Sequence, residues 1–316
     1  MKKIMLFFLL CGSATHSQIS GCTDSLAENF NPNATLNDGS CRYTFTKIKP
    51  QSTQKLSDSL GETSGLVAFD NLLWTHNDDH DTNIYGLDLN GKIKRKIKLE
   101  NAVNTDWEEI SQDSSYLYVG DFGNNYSGNR TDLHILRIEK KSFLLNKPVI
   151  DTISFSYSNQ TDFSNQKPNS SDFDCEAFIV SQDSIYLFTK QWSKNKTAVY
   201  TLPKTPGNYM ANLKQTLKVN GLIAGATMTP KNEIVLCGYT KKFQTFLYLV
   251  YDLKNFDFAL ANQRRINISL KYHQIEGITT SNGKQFFITN ESFTKKPIIN
   301  NRQQIHTFDL STYLKL

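Results

Sequence analysis

Glu176-Ala-Phe-Ile-Val-Ser181, followed by Ile185-Tyr-Leu-Phe-Thr-Lys190, is the stretch whose reading decides the fold. A short apolar run, a polar break and a second apolar run ending in polar residues describe two adjacent strands. The pattern recurs four more times. Ser64–Phe69 precedes Leu72–His76, and Glu108–Asp113 precedes Tyr116–Asp121. Gly225–Pro230 precedes Ile234–Tyr239, and Glu276–Ser281 precedes Phe286–Asn290. Repeated units of short strands are the signature of a β-propeller.

Each repeat offers four strand-sized pieces, except the last, which gives Gly277–Thr280, Gln285–Thr289 and Gln304–Leu310 and then runs short. Its fourth strand is expected from the other end of the chain, at Tyr43–Lys49, because a ring closed by both termini has no free sheet edge. The expected fold is therefore all-β: a propeller of five four-stranded blades closed by an N-terminal strand, preceded by a small disulfide-stapled segment. Six blades is the alternative, since the step from the second repeat to the third is the longest. The surplus there, Ser158–Phe173, is rich in Ser, Asn, Asp and Gln and reads as a loop.

The composition suits such a protein. Hydrophobic residues make up 39% and aromatics 12% of 316 residues, which excludes a disordered chain. Met1-Lys-Lys3, the apolar run Ile4–Leu10 and the small residues after it read as a signal peptide over 1–17, cut before Gln18. Export to the periplasm or medium is expected, with a lipid anchor at Cys11 as the lesser alternative and no membrane span. Net charge is +5. Its one dense basic run, Lys92–Lys98, alternates with isoleucine and reads as a charged edge strand rather than a nucleic-acid surface.

Residues 18–42 form a separate module before the propeller at 43–316. Cys22 and Cys41 bracket a segment dense in Asp and Asn with almost no apolar core, so a disulfide between them is the expected staple in an oxidising compartment. Closing a loop of that length contributes about 3 kcal/mol in the chain-entropy account. Asp24, Asn33, Asn37 and Asp38 offer hard oxygen donors of the kind calcium takes. Cys175 and Cys237 can be a second disulfide or a buried free pair.

Gly21-Cys-Thr-Asp24, Asn29–Thr35 and Asn37-Asp-Gly-Ser-Cys-Arg-Tyr43 resemble a short module of exported Bacteroidetes proteins, similar in style to thrombospondin type 3 calcium repeats. That resemblance implies a disulfide and bound calcium. Thr63–Leu66, Trp74–Asp78, Asn104–Ile110, Tyr118–Asn125, Asp174–Ala177, Phe188–Trp192 and Glu276–Ile278 resemble an exported Bacteroidetes propeller family without an assigned activity. A more distant likeness is to phytase-like and gluconolactonase-like propellers. It implies a divalent ion at the channel mouth, with Glu108, Glu176, Asp121 and Asn290 in the metal-holding positions. The basic cluster that a phytase needs is thin here.

In a propeller blade the start of the first strand and the end of the second lie at one face. Glu108, Glu176, Glu276 and His76 are therefore the catalytic candidates. Asp121, Lys190, Tyr239, Asn290, Trp107 and Trp192 are the ligand-binding candidates. Clustered carboxylates need a counter-charge, whether metal, lysine or proton. Alternatively these glutamates bond backbone amides of neighbouring blades and tie the ring together. Oxygen-only donors favour calcium or another divalent ion, and no organic cofactor motif is present. The expected function is binding of a ligand or protein partner at the channel face without catalysis. The alternative is a divalent-metal-dependent hydrolase of a lactone or phosphoester.

Overall fold

The computed structural model describes residues 18–297 and 299–314. The expected signal peptide and Cys11 lie outside the described residues. Among those residues no helix is long and apolar enough to cross a membrane.

The strands assemble into five blades. The first is Thr63–Phe69, Leu72–Asn77, Asn83–Leu87 and Ile93–Lys98. The second is Trp107–Gln112, Tyr116–Asp121, His134–Glu139 and Ile150–Tyr157. The third is Cys175–Val180, Ser184–Thr189, Thr197–Pro203 and Gly207–Leu217. The fourth is Leu222–Met228, Ile234–Tyr239, Gln244–Tyr251 and Asn262–Lys271. The fifth is Ile275–Thr280, Gln285–Asn290, Gln304–Asp309 and, from the N-terminal side, Ser52–Lys55. The five innermost strands contact one another in a closed ring.

Packing explains the blade count. A blade strand alternates its side chains between two neighbouring blades, so each interface collects its own apolar cluster. Five such clusters exist, one per blade-to-blade seam. Between the first and second blades Trp74 stacks on Phe69 at 5.3 Å and meets Phe143 edge-on at 4.9 Å. Burying an aromatic of this kind contributes roughly 1.5–3 kcal/mol. The seam between the fifth and first blades, where the ring closes, is the smallest, with eight fully buried residues.

Ring closure differs from expectation in one detail. The strand that completes the fifth blade is Ser52–Lys55, not Tyr43–Lys49. Its four residues are all exposed, so it carries no alternating pattern to read. Lys47–Ile48 instead pairs in parallel with Asn267–Ile268 as a fifth strand on the fourth blade. Phe45, which made the segment look like a blade strand, is 78% exposed.

The surplus between the second and third repeats is a strandless loop at 158–174. There the outer strands of those two blades pair in parallel, Ile153 opposite Gly207 through Tyr157 opposite Ala211. Two blades therefore share one eight-stranded sheet. The fifth blade carries a small insertion, the hairpin Phe293–Lys295 with Ile299–Asn301. The lysines of Ile93–Lys98 lie on the outer strand of the first blade, as alternation predicts.

Candidate ligand and cation site at the channel mouth

The innermost strand of every blade carries a β-bulge at the same end of the channel. The ladder skips Glu108 between Trp107 and Glu109, Glu176 between Cys175 and Ala177, and Glu276 between Ile275 and Gly277. In the fourth blade it skips Ala224, and in the first the register breaks between Ser64 and Val67. An extra residue at a bulge turns its side chain out of the normal alternation. Three of five bulges therefore aim a glutamate at the channel axis. The repeat as read from sequence set Gly225 beside these glutamates; the register assigns the equivalent position to Ala224.

Two residues before the three bulged glutamates stand Asp106, Asp174 and Gln274, and Glu62 precedes the first blade's inner strand by one residue. Asp106 and Asp174 lie close enough to Glu108 to raise its pKa. Gly123 makes room for the crowd: a Cβ there would collide with the Asp106 and Glu108 carboxylates. The result is a cavity of about 550 Å³ whose charged lining is Asp78, Glu108, Glu176, Glu276, Glu291, Lys190 and Lys241. Trp192, Tyr239, Phe243 and Phe293 line the other.

Lys190 is the one cation paired deep in this set among the described residues. Its Nζ lies 2.8 Å from Glu176 Oε2 and sits over the rings of Trp192 at 5.0 Å and Tyr239 at 5.2 Å. Burial works against its charge, but Glu176, Tyr239, Glu276 and Asp174 hold its ammonium protonated well beyond the usual lysine range. Lys190 and Lys241 do not match the five carboxylates of the lining. Burial, partly offset by Lys190, leaves the Glu176 and Glu276 carboxyls pushed up to about 7. Glu108 and Asp174 are likewise raised well above the usual carboxylate range, through burial and then the neighbouring Glu176 charge. Glu276 Oε2 is buried and has no hydrogen-bond partner; Glu176 Oε1 is in the same state. Such an oxygen costs roughly 1–3 kcal/mol, more when charged, unless something donates to it.

A second acidic group adjoins the first. Carboxylate oxygens of Glu62, Asp78 and Glu291 lie within 4.8 Å of one another. Burial and the charges of Glu62 and Asp106 push Asp78 up to about 7, and burial together with Glu276 pushes Glu291 well up. Among the described residues no lysine or arginine forms an ion pair with these three. The donor set is all oxygen and suits a hard cation.

Other candidates stand elsewhere. Asp121 is buried and committed to Arg130 at 2.7 Å while accepting the Thr105 amide. Asn290 donates to the Glu291 and Arg302 carbonyls, with His306 Nε2 2.8 Å from its oxygen. Trp107 is core: its indole donates to the Val103 carbonyl and its ring meets His76 edge-on. His76 is buried, and desolvation lowers its pKa to about 4. Its Nδ1 lies 3.1 Å from the Asn77 carbonyl, and its Nε2 has no partner. None of these four lines the cavity, whereas Glu108, Glu176, Glu276, Lys190, Tyr239 and Trp192 do. Trp192 also donates to Asp174 at 2.6 Å. The tie between blades is made by Glu109, which accepts the amides of Leu66, Ile110 and Ala226 from three blades.

Sequence reasoning missed Asp106, Asp174, Phe243 and Phe293. The first two had a signal: Asp106-Trp-Glu108 and Asp174-Cys-Glu176 repeat one spacing. Phe243 sits on a loop and Phe293 on a short inserted hairpin, and neither follows the blade period.

The N-terminal module uses its acids differently. Cys22 and Cys41 are bonded, S–S 2.08 Å, while Cys175 and Cys237 are free and buried. Asp24 is buried; it accepts the Leu26 amide at 3.0 Å, the Tyr43 hydroxyl at 2.6 Å and the Tyr251 hydroxyl of the fourth blade. Asn37 donates to the Leu260 and Ala261 carbonyls and to Asn262. Asp38 accepts the Ser40 amide, and Asn33 donates its amide to Asn31.

No protein-family model and no curated protein matches the chain. Solved structures do. A virginiamycin B lyase from Staphylococcus aureus is 13% identical with a TM-score of 0.38, over 81% of this chain and 69% of that one. A glucose dehydrogenase is 7% identical with a TM-score of 0.47, over 81% and 98%. A putative gluconolactonase is 9% identical with a TM-score of 0.39, over 83% and 94%. At such scores the five-bladed assignment stands on this chain's own strand order and register.

Proposed function

We propose that this chain is an exported propeller whose channel mouth binds a positively charged ligand. One observation carries the reading: Glu276, whose Oε2 is buried without a hydrogen-bond partner among the described residues, lines a cavity whose carboxylates outnumber its lysines, Lys190 and Lys241. Excess buried acid is neutralised by protons, by basic side chains or by a bound cation. Lys190 serves Glu176 alone at bonding distance. At neutral pH a bound cation supplies what the side chains lack. Glu62, Asp78 and Glu291, with Glu276 beneath, are the groups that would hold it. The oxidised Cys22–Cys41 pair and the apolar run at Ile4–Leu10 support export. In the module, Asn33 and Asp38 are the donors left to calcium once Asp24 and Asn37 have docked it.

The test is thermal unfolding of the chain beginning at Gln18, at pH 7.5, with calcium, magnesium and organic ammonium salts in turn. At least one raises Tm in the wild type and does not in Glu276→Gln. A Tm indifferent to every cation overturns the reading.

A second reading is a divalent-metal-dependent hydrolase of a lactone or phosphoester. The observation in its favour is that Glu176 and Glu276 are poised at about 7, the range of a general base. A divalent ion held there would polarise the substrate oxygen. Turnover lost both on chelation and in Glu176→Gln supports it; ligand binding without turnover removes it.

A further inference from the structure

Lys190 shows what this cavity does with an ammonium group. The protein seats its own between a carboxylate, Glu176, and two aromatic faces, Trp192 and Tyr239. The same three kinds of group recur at the outer side of the cavity. Glu62, Asp78 and Glu291 converge there, and the wall beside them is Phe293, two residues on from Glu291, with Phe243. The two phenyl rings meet at 4.9 Å, and Phe243 stacks on Tyr239 at 5.9 Å. Each ring arrives by a local device. Phe293 stands on the hairpin inserted only into the fifth blade. Phe243 has φ +55, a conformation uncommon for a bulky side chain, fixed by its amide bonding the Thr240 carbonyl at 2.7 Å. Both rings remain partly exposed, Phe243 while also packing against the apolar cluster between the fourth and fifth blades.

We infer that the outer part of the channel mouth is a site for an organic ammonium ion carrying an apolar body. The charged head lies among Glu62, Asp78 and Glu291, above the partnerless Glu276 oxygen. The alkyl or aryl part lies on Phe243 and Phe293. A hard divalent ion uses the oxygens alone and gains nothing from carbon rings, whereas an ammonium ion gains from both ring faces and carboxylates. The inference rests on the cation-binding reading above and adds the chemical class of the cation.

The experiment is calorimetric titration of the whole chain from Gln18 at pH 7.5 with three probes: benzyltrimethylammonium, its neutral counterpart benzyl alcohol, and calcium. The ammonium probe binds, and benzyl alcohol binds at least tenfold more weakly. Phe293→Ala weakens the ammonium probe by roughly tenfold, in line with a desolvated cation–π contact. Glu291→Gln weakens it as well, and both variants keep the wild-type Tm within a few degrees. Phe293 stands on an inserted hairpin, so its loss leaves the blade ladders intact. Calcium binding without ammonium binding overturns this inference and keeps the cation reading. Equal affinity for benzyl alcohol also overturns it. Silence with all three probes overturns both.

Discussion

Glu108 and Glu109 are neighbours in sequence, yet the channel treats them in opposite ways. Glu109 points into the ring and accepts three backbone amides from three blades. Glu108 is thrown to the mouth by the bulge and meets Glu176, Asp106 and Asp174. Deep in the ring an acid holds the structure together; at the mouth acids are held by the structure. The N-terminal module belongs with the first kind, since Asp24 is surrounded by hydroxyl and amide donors. Acid-rich composition therefore says little about binding. The useful difference is whether each carboxylate oxygen already has a donor.

That contrast can be broken at several points. The largest effect is expected at Glu109→Ala, which strips three buried amides of their acceptor and should cost about 3–5 kcal/mol in chemical denaturation. A loss below about 1 kcal/mol would remove Glu109 from its role as a tie. Lys190→Met should cost a similar or slightly smaller amount, roughly 3 kcal/mol, because it leaves Glu176 buried without its partner. Adding Glu176→Gln to it should recover much of the loss, a non-additivity that a double-mutant cycle reads directly. Asp24→Ala removes the acceptor that the Tyr43 and Tyr251 hydroxyls share at the junction with the fourth blade, at a cost of about 1–3 kcal/mol. Hydrogen exchange should show residues 21–42 opening before the blades do.

Glu276→Gln is expected to be the mildest for stability and the most severe for binding. Removing a charge from among like charges should leave stability unchanged or raise it by about 1 kcal/mol. Its pH dependence has a definite sign. Asp78, Glu176 and Glu276 keep their protons to about pH 7 in the folded chain. Unfolded, they lose them near pH 4. Folding is thus favoured by these groups below about pH 4, and that contribution is lost as pH rises toward 7. The drop in Tm across that interval should be smaller in Glu276→Gln than in the wild type, and a bound cation should cancel it.

Much of this could be read in the residues. The inner strand pairs announce themselves because each is buried on both faces and stays apolar, as in Ala177–Val180 and Ile185–Phe188. Glu108, Glu176 and Glu276 stood out because a charge interrupts that pattern at the same place in three repeats. Ser52–Lys55 could not be read, since an outermost strand with both faces in water has no hydrophobic period. Asp121, Asn290 and His76 looked equivalent to Lys190 and Tyr239 by position at a strand end. Only the bulged register separates those that turn into the cavity from those bonded behind it. Phe243 and Phe293 depend on which turns fold over the mouth, a tertiary fact with no local pattern.

The central claim is that the mouth carries more acid than the protein itself can neutralise. The most direct measurement is a calorimetric titration of the cation-stripped chain at pH 7.5, repeated at pH 5, with Glu276→Gln alongside. The account predicts saturable cation binding at pH 7.5, weakened at least tenfold at pH 5 and in the variant. Absence of any binding at pH 7.5, or binding unaffected by both changes, would contradict it.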